Sequence, residues 1–195
     1  MAKTILLAGT WGLERERAWW QPHSPFWDEA SAHGVSLLGE HGPFLWSTAL
    51  DGVFGQNSDW LNAGGSLLMW AHLMTPGAVN LIAHSHGGQV ALYAAAQGLQ
   101  VKTLVTVATP VRRDLRKILG FARPNIATWI HVRSDWTDYM QLLGELMSGN
   151  LGLFRNMKLA DRNITVPGVG HSGLLEPSLW TRETWWNYVK EEGGV

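Results

Sequence analysis

Short, uninterrupted apolar runs alternate along this chain with longer stretches in which apolar residues recur at helical spacing. That alternation is the pattern of a parallel sheet flanked by helices. The runs predict strands over Thr4–Ala8, Val35–Leu38, Val79–Ala83, Leu104–Ala108, Thr128–Val132 and Asn163–Val166. Continuous apolar character, as in Leu104-Val105-Thr106-Val107-Ala108, suits a strand covered on both faces. Helices are predicted over Leu61–Met74, Gly88–Gly98, Val111–Leu119, Tyr139–Met147 and Pro177–Lys190. The second ends on a glycine and the last has a proline near its start and a lysine in its last turn, in keeping with helix-end preferences. Right-handed crossovers then build a three-layer α/β/α sandwich with about six mainly parallel strands. Ligands in such sheets bind beyond the carboxyl ends of the strands.

Composition narrows the class. A chain of 195 residues is most simply one domain spanning 1–195. It is 46% apolar and 16% charged, a globular composition. A net charge of −1 supplies no field for nucleic acid or an anionic membrane, so neither partner is expected. The absence of cysteine excludes disulfides and thiolate chemistry and agrees with a cytoplasmic setting. The apolar run near the N-terminus covers only Ile5 to Ala8 and leads into Gly9-Thr10-Trp11-Gly12, so it reads as a buried strand and not as a signal peptide. No segment reaches the length of a membrane span. The 12 tryptophans stand out; Trp11, Trp46, Trp60 and Trp136 read first as core residues, with a groove lining as the alternative.

The third predicted strand runs into Ala83-His84-Ser85-His86-Gly87-Gly88, followed by an alanine-rich helix. A nucleophile elbow places a serine on a tight strand-to-helix turn, with small residues two before and two after it to avoid collision. Ala83 and Gly87 meet that need around Ser85, with Ala83 in the place of the usual glycine. His84 and His86 carry a competing reading as metal ligands, although no carboxylate cluster lies near them in sequence.

A serine that attacks a carbonyl also needs fixed N–H groups for the oxygen that becomes negative. The N–H of His86 is one candidate, at the start of the following helix. The second falls in the loop after the first strand, at Thr10 or Trp11, with Thr10 preferred because it directly follows Gly9. His171 lies in Gly168-Val169-Gly170-His171-Ser172-Gly173, in a loop after the last strand, where an imidazole is free to serve as base. Of the eight histidines, it has the right order and setting. The carboxylate that orients such a base is sought after the fifth strand, where both Asp135 and Asp138 stand. Asp138 is preferred and Asp135 remains the alternative.

With these residues the chain resembles the α/β-hydrolase superfamily, and within it small lipase-like and esterase-like members without a large cap. The resemblance runs from Lys3 to about Tyr188 and rests on Gly9-Thr10-Trp11-Gly12, Ala83-His84-Ser85-His86-Gly87-Gly88 and Gly168-Val169-Gly170-His171-Ser172. Thr109-Pro110 after the fourth strand resembles the Thr-Pro of lipase-like members, and Asp138-Tyr139-Met140-Gln141 their acid-bearing loop. The resemblance implies hydrolysis of an ester or related carbonyl through an acyl-enzyme, with Ser85, Asp138 and His171 in the triad's chain order and no cofactor. The implied partner is a small-molecule or lipid-like ester. Pro110–Pro124, with Arg112, Arg113, Arg116 and Lys117, reads as a solvated basic face or as part of a rim. Acyl transfer, thioester or amide cleavage would use the same site, and a binding protein that kept only the fold is the reading outside catalysis. No motif encodes substrate or oligomeric state.

Overall fold

The computed structural model describes residues 2–9, 18–46, 57–112, 115–135, 138–139 and 156–190. Five strands form one parallel sheet in chain order: β1 (Thr4–Leu7), β2 (Val79–His84), β3 (Val101–Val107), β4 (Ile126–Ser134) and β5 (Arg162–Val166). The central strands are buried on both faces, which is why their sequences are continuously apolar. Alternate residues divide between two cores. Ile5, Leu7, Leu81, Ala83 and Leu104 face one, and Leu6, Ile82, Val105, Val107 and Ile130 face the other.

Helices α2 (Asn57–Met74), α3 (Gly87–Ala96) and α4 (Arg116–Ala122) cover the first face. α2 approaches α3 so closely at Gly64 that a side chain there would lie 2.7 Å from Tyr93 and 2.8 Å from the Ala94 backbone. α3 ends on a Schellman motif, with Leu99 N–H donating to Ala94 O and Gly98, at φ 110°, donating to Ala95 O. Helices α1 (Pro25–Ala32) and α5 (Pro177–Arg182) cover the second face. Phe26, Trp180, Trp185 and Trp186 interlock there, with Trp180 and Trp186 centroids 4.8 Å apart. The α/β/α sandwich expected from the sequence is thus observed, with five strands in place of six.

The differences have local causes. Val35–Leu38 contributes one bridge beside β1, Thr4 to Leu37, because positive-φ glycines at Gly34 and Gly39 turn the chain away on either side. It lies on the far side of β1 from β2, so strand order reverses at β1. The helix expected over Val111–Leu119 begins only at Arg116; Val111 and Arg112 lie outside any helix or strand after Pro110, whose carbonyl accepts from the buried Gln89 Nε2 at 2.9 Å. The helix expected over Pro177–Lys190 breaks at Thr184, left-handed at φ 58°, and a 3-10 turn over Trp185–Tyr188 then directs both tryptophans inward. α1 was not anticipated. Most of the segment expected to be helical over Tyr139–Met147 lies outside the described residues. Among the described residues, no helix is long and apolar enough to cross a membrane.

Candidate active site

β2 runs to His84 and the chain turns at Ser85 with φ 51°, a left-handed conformation that an L-residue adopts at a cost. The turn is held from both sides. Ser85 N–H donates to Val107 O at 2.8 Å, and Gly88 N–H donates back to Ser85 O at 3.1 Å. α3 begins at Gly87, two residues on. A side chain at Gly87 would stand 2.5 Å from the Ala8 carbonyl oxygen, so the turn is pressed against the end of β1. One at Gly88 would overlap Thr109, which accounts for the paired glycines. Ser85 thus stands at positive φ on a tight strand-to-helix turn.

The loop after β1 passes beside it. A side chain at Gly9 would lie 2.8 Å from Ser85 Cβ and 3.1 Å from His84 Nδ1. The two candidate donors that follow, Thr10 and Trp11, lie outside the described residues. The third candidate, His86, caps the N-terminus of α3, where the helix dipole is positive.

On the other side, the chain leaves β5 into a loop that turns at Gly168, φ 72°. Ser134 and Asp135, at the end of β4, tie that loop down. Ser134 Oγ donates to Val169 O, and Asp135 Oδ2 accepts the Gly168 N–H at 3.1 Å. The same loop brings His171 to Asp138, whose carboxylate oxygens lie 2.9 and 3.0 Å from its Nδ1. The Asp138 side chain is fully buried and that of His171 is 16% exposed. A carboxylate only accepts, so Nδ1 carries the proton and the Nε2 lone pair is left for another partner. The two aspartates after β4 therefore take different positions: Asp138 meets the imidazole, and Asp135 meets the backbone of the loop that bears it.

His171 also touches the turn at Ser85. Its ring packs against that of His84 with centroids 4.7 Å apart, and His84 Nε2 lies 3.3 Å from its carbonyl oxygen. Trp19 meets the His84 ring edge-on at 6.2 Å. His86 has different neighbours. It stacks on Trp60 at 5.4 Å, and the Arg112 guanidinium lies over Trp60 at 4.5 Å. Burial, with Arg112 and His171 nearby, holds the His86 imidazole down at about 4, so it is neutral at neutral pH. The two histidines thus enter different packing arrangements, and among the described residues no group of three His, Asp or Glu side chains is placed to hold a metal ion.

Trp46 and Trp60 are buried core residues, and Trp46 Nε1 donates to Ala8 O at 3.0 Å; Trp11 and Trp136 lie outside the described residues. The sequence did not signal the contact of His84 with His171 or the anchoring of the loop bearing His171 by Ser134 and Asp135. Those are contacts between strand ends far apart in the chain.

Neither a known protein-family model nor a curated protein sequence matches the chain. Solved structures do. A hydrolase described as CIB-like from Thermoplasma acidophilum superposes with a TM-score of 0.57, covering 95% of this chain and 86% of its own. The fold is that of the α/β-hydrolases. An esterase domain from a Rhodothermus marinus protein shares this α/β-hydrolase fold at a TM-score of 0.51, over 95% of this chain and 85% of its own. So does a structure of the metagenome-derived lipolytic enzymes LipS and LipT, at 0.51 over 94% and 93%. Sequence identities are 14%, 14% and 11%, so the likeness is one of fold. Ser85, Asp138 and His171 stand just beyond the ends of β2, β4 and β5.

Proposed function

We propose that this chain is a serine hydrolase that cleaves carboxylic esters through an acyl-enzyme, with Ser85 as nucleophile, His171 as base and Asp138 as the carboxylate that orients it. The observation that carries the reading is the buried Asp138–His171 pair, 2.9 Å apart, on a loop packed against the strained turn that presents Ser85. A stable fold requires neither a buried carboxylate facing a loop imidazole nor a serine at positive φ, and acyl transfer requires both groups.

In the mechanism, Ser85 Oγ attacks the ester carbonyl carbon while its proton passes to His171 Nε2. The oxyanion that forms is met by the His86 N–H and by a second amide from Thr10 or Trp11. Asp138 stabilises the imidazolium. Collapse breaks the C–O bond, and His171 returns the proton to the departing alkoxide, which leaves as alcohol. Water then attacks the acyl-enzyme, giving its proton to His171, and the acid departs as Ser85 regains its hydrogen. The residues named supply each proton movement, and the scheme calls for no cofactor.

We read the chain as one domain acting in the cytoplasm on a small or lipid-like ester. Two structural neighbours, an esterase domain and a lipolytic enzyme, favour ester substrates over amides. Acyl transfer or thioester cleavage would use the same atoms. Turnover of short and long p-nitrophenyl esters, with Ser85→Ala as control, tests the reading. Hydrolysis abolished by the substitution supports it; no turnover by the unaltered protein favours a binding role for the fold.

A further inference from the structure

His84 directly precedes Ser85 in sequence, and its side chain reaches the opposite side of the site. Its Nε2 lies 3.3 Å from the carbonyl oxygen of His171, and its ring packs on the His171 ring at 4.7 Å and an interplanar angle of 58°. A carbonyl oxygen only accepts, so this contact requires the proton of His84 on Nε2. Nδ1 faces the loop after β1, where a side chain at Gly9 would stand 3.1 Å from it. The ring is 8% exposed and bounded by Trp19 as well, so it has little room to turn. His84 therefore bridges three strand ends: β2, to which it belongs, β1 through Gly9, and β5 through the loop bearing His171.

We propose that His84 is a positioning residue that fixes the catalytic base from the nucleophile's side. The inference rests on the proposed roles of Ser85 and His171. Asp138 holds the imidazole of His171 by its Nδ1, which fixes the ring's direction, and Gly173 N–H donates to Gly170 O at 3.0 Å, closing the turn that contains residue 171. Ser134 and Asp135 hold the loop earlier, at Val169 and Gly168. His84 supplies the hold at residue 171 itself. Because His84 and Ser85 are adjacent in the chain, this hydrogen bond ties the residue beside the nucleophile directly to the residue that bears the base. A shift of about 1 Å between reacting groups lowers rate by up to ~100-fold, so this hold acts on turnover.

The test compares His84→Phe, which keeps the ring and loses the donor, with His84→Gln, whose amide reaches as far as Nε2, and His84→Asn, whose amide falls short. On p-nitrophenyl esters, His84→Phe and His84→Asn are expected to lose about 10- to 100-fold in kcat with KM nearly unchanged, and His84→Gln to recover most of that loss. The low-field proton resonance of His171 Nδ1 is a readout independent of turnover. It should stay sharp in the unaltered protein and in His84→Gln and broaden by faster exchange in His84→Phe. Equal kcat and an equally sharp resonance in all four proteins would overturn the inference, as would equal losses in the Phe and Gln variants. If the unaltered protein turns over no ester while the resonance still responds to His84→Phe, the hydrolase reading fails and the positioning role stands.

Discussion

Both carboxylate oxygens of Asp138 lie within 3.0 Å of His171 Nδ1, from a side chain that solvent does not reach. Asp135, three residues earlier, accepts instead from the Gly168 amide at 3.1 Å. The pair thus divides orientation of the ring from anchoring of the loop.

Asp138→Asn is expected to lower kcat by about 1,000- to 10,000-fold, because an amide can present its N–H to Nδ1 and so impose the wrong tautomer. Asp135→Asn should lower kcat by less than about 10-fold and stability by about 1 kcal/mol, through a weakened loop contact. Parallel ester kinetics and urea unfolding of the two variants check this. A larger kinetic loss in Asp135→Asn would transfer the orienting role to that residue.

Glycine is required around the turn at Ser85 by contact and not by flexibility. Gly9→Ala would bring a methyl group to 2.8 Å from Ser85 Cβ, and Gly87→Ala would bring one to 2.5 Å from the Ala8 carbonyl oxygen. The Gly87 collision is with backbone that cannot turn aside, so that variant should lose about 3 kcal/mol or fail to fold. Gly9→Ala should fold with a smaller loss and show impaired turnover, since the displaced atoms belong to Ser85 and His84. Denaturant midpoints and kcat for the two variants separate these outcomes.

The left-handed backbone at Ser85 should be visible as a stability difference. Glycine adopts φ 51° without steric penalty, whereas alanine does not. Ser85→Gly should therefore be more stable than Ser85→Ala by about 1 kcal/mol, with both inactive. Chemical denaturation of the two variants measures the difference directly.

His86 makes stability depend on acid. Its folded value of about 4 lies below the ordinary 6.5, so between the two the unfolded chain binds more protons. Its contribution is complete above pH 6.5 and is lost as pH falls toward 4, a penalty of roughly 3 kcal/mol. His86→Phe keeps an aromatic ring against Trp60 and removes the titration. Relative to the unaltered protein, it should gain about 2–3 kcal/mol between pH 7 and pH 4.5, as read by urea unfolding at both values.

Most of the architecture was legible in the chain because its strands are buried on both faces. Runs such as Leu104-Val105-Thr106-Val107 admit few other readings. Val35–Leu38 has the same composition, yet what ends it is the backbone at Gly34 and Gly39, and composition does not record φ. α1 did carry a readable signal: Ser24 caps it by accepting the Trp27 N–H at 3.2 Å, Pro25 follows, and Asp28 stands in the first turn. The candidate site was legible residue by residue, since serine, histidine and aspartate each stand after a strand. Its supports were not. From the sequence His84 reads as a neighbour of Ser85 or as a metal ligand; only the fold brings residue 171, 87 positions away, beside it.

The central claim is that Ser85 is an activated nucleophile. Intact-mass and peptide-mapping analysis after treatment with a fluorophosphonate measures this most directly. One adduct per chain is expected, on Ser85, absent in Ser85→Ala and formed far more slowly in His171→Ala. No adduct on Ser85 in the unaltered protein, or ester turnover that survives Ser85→Ala, would contradict it.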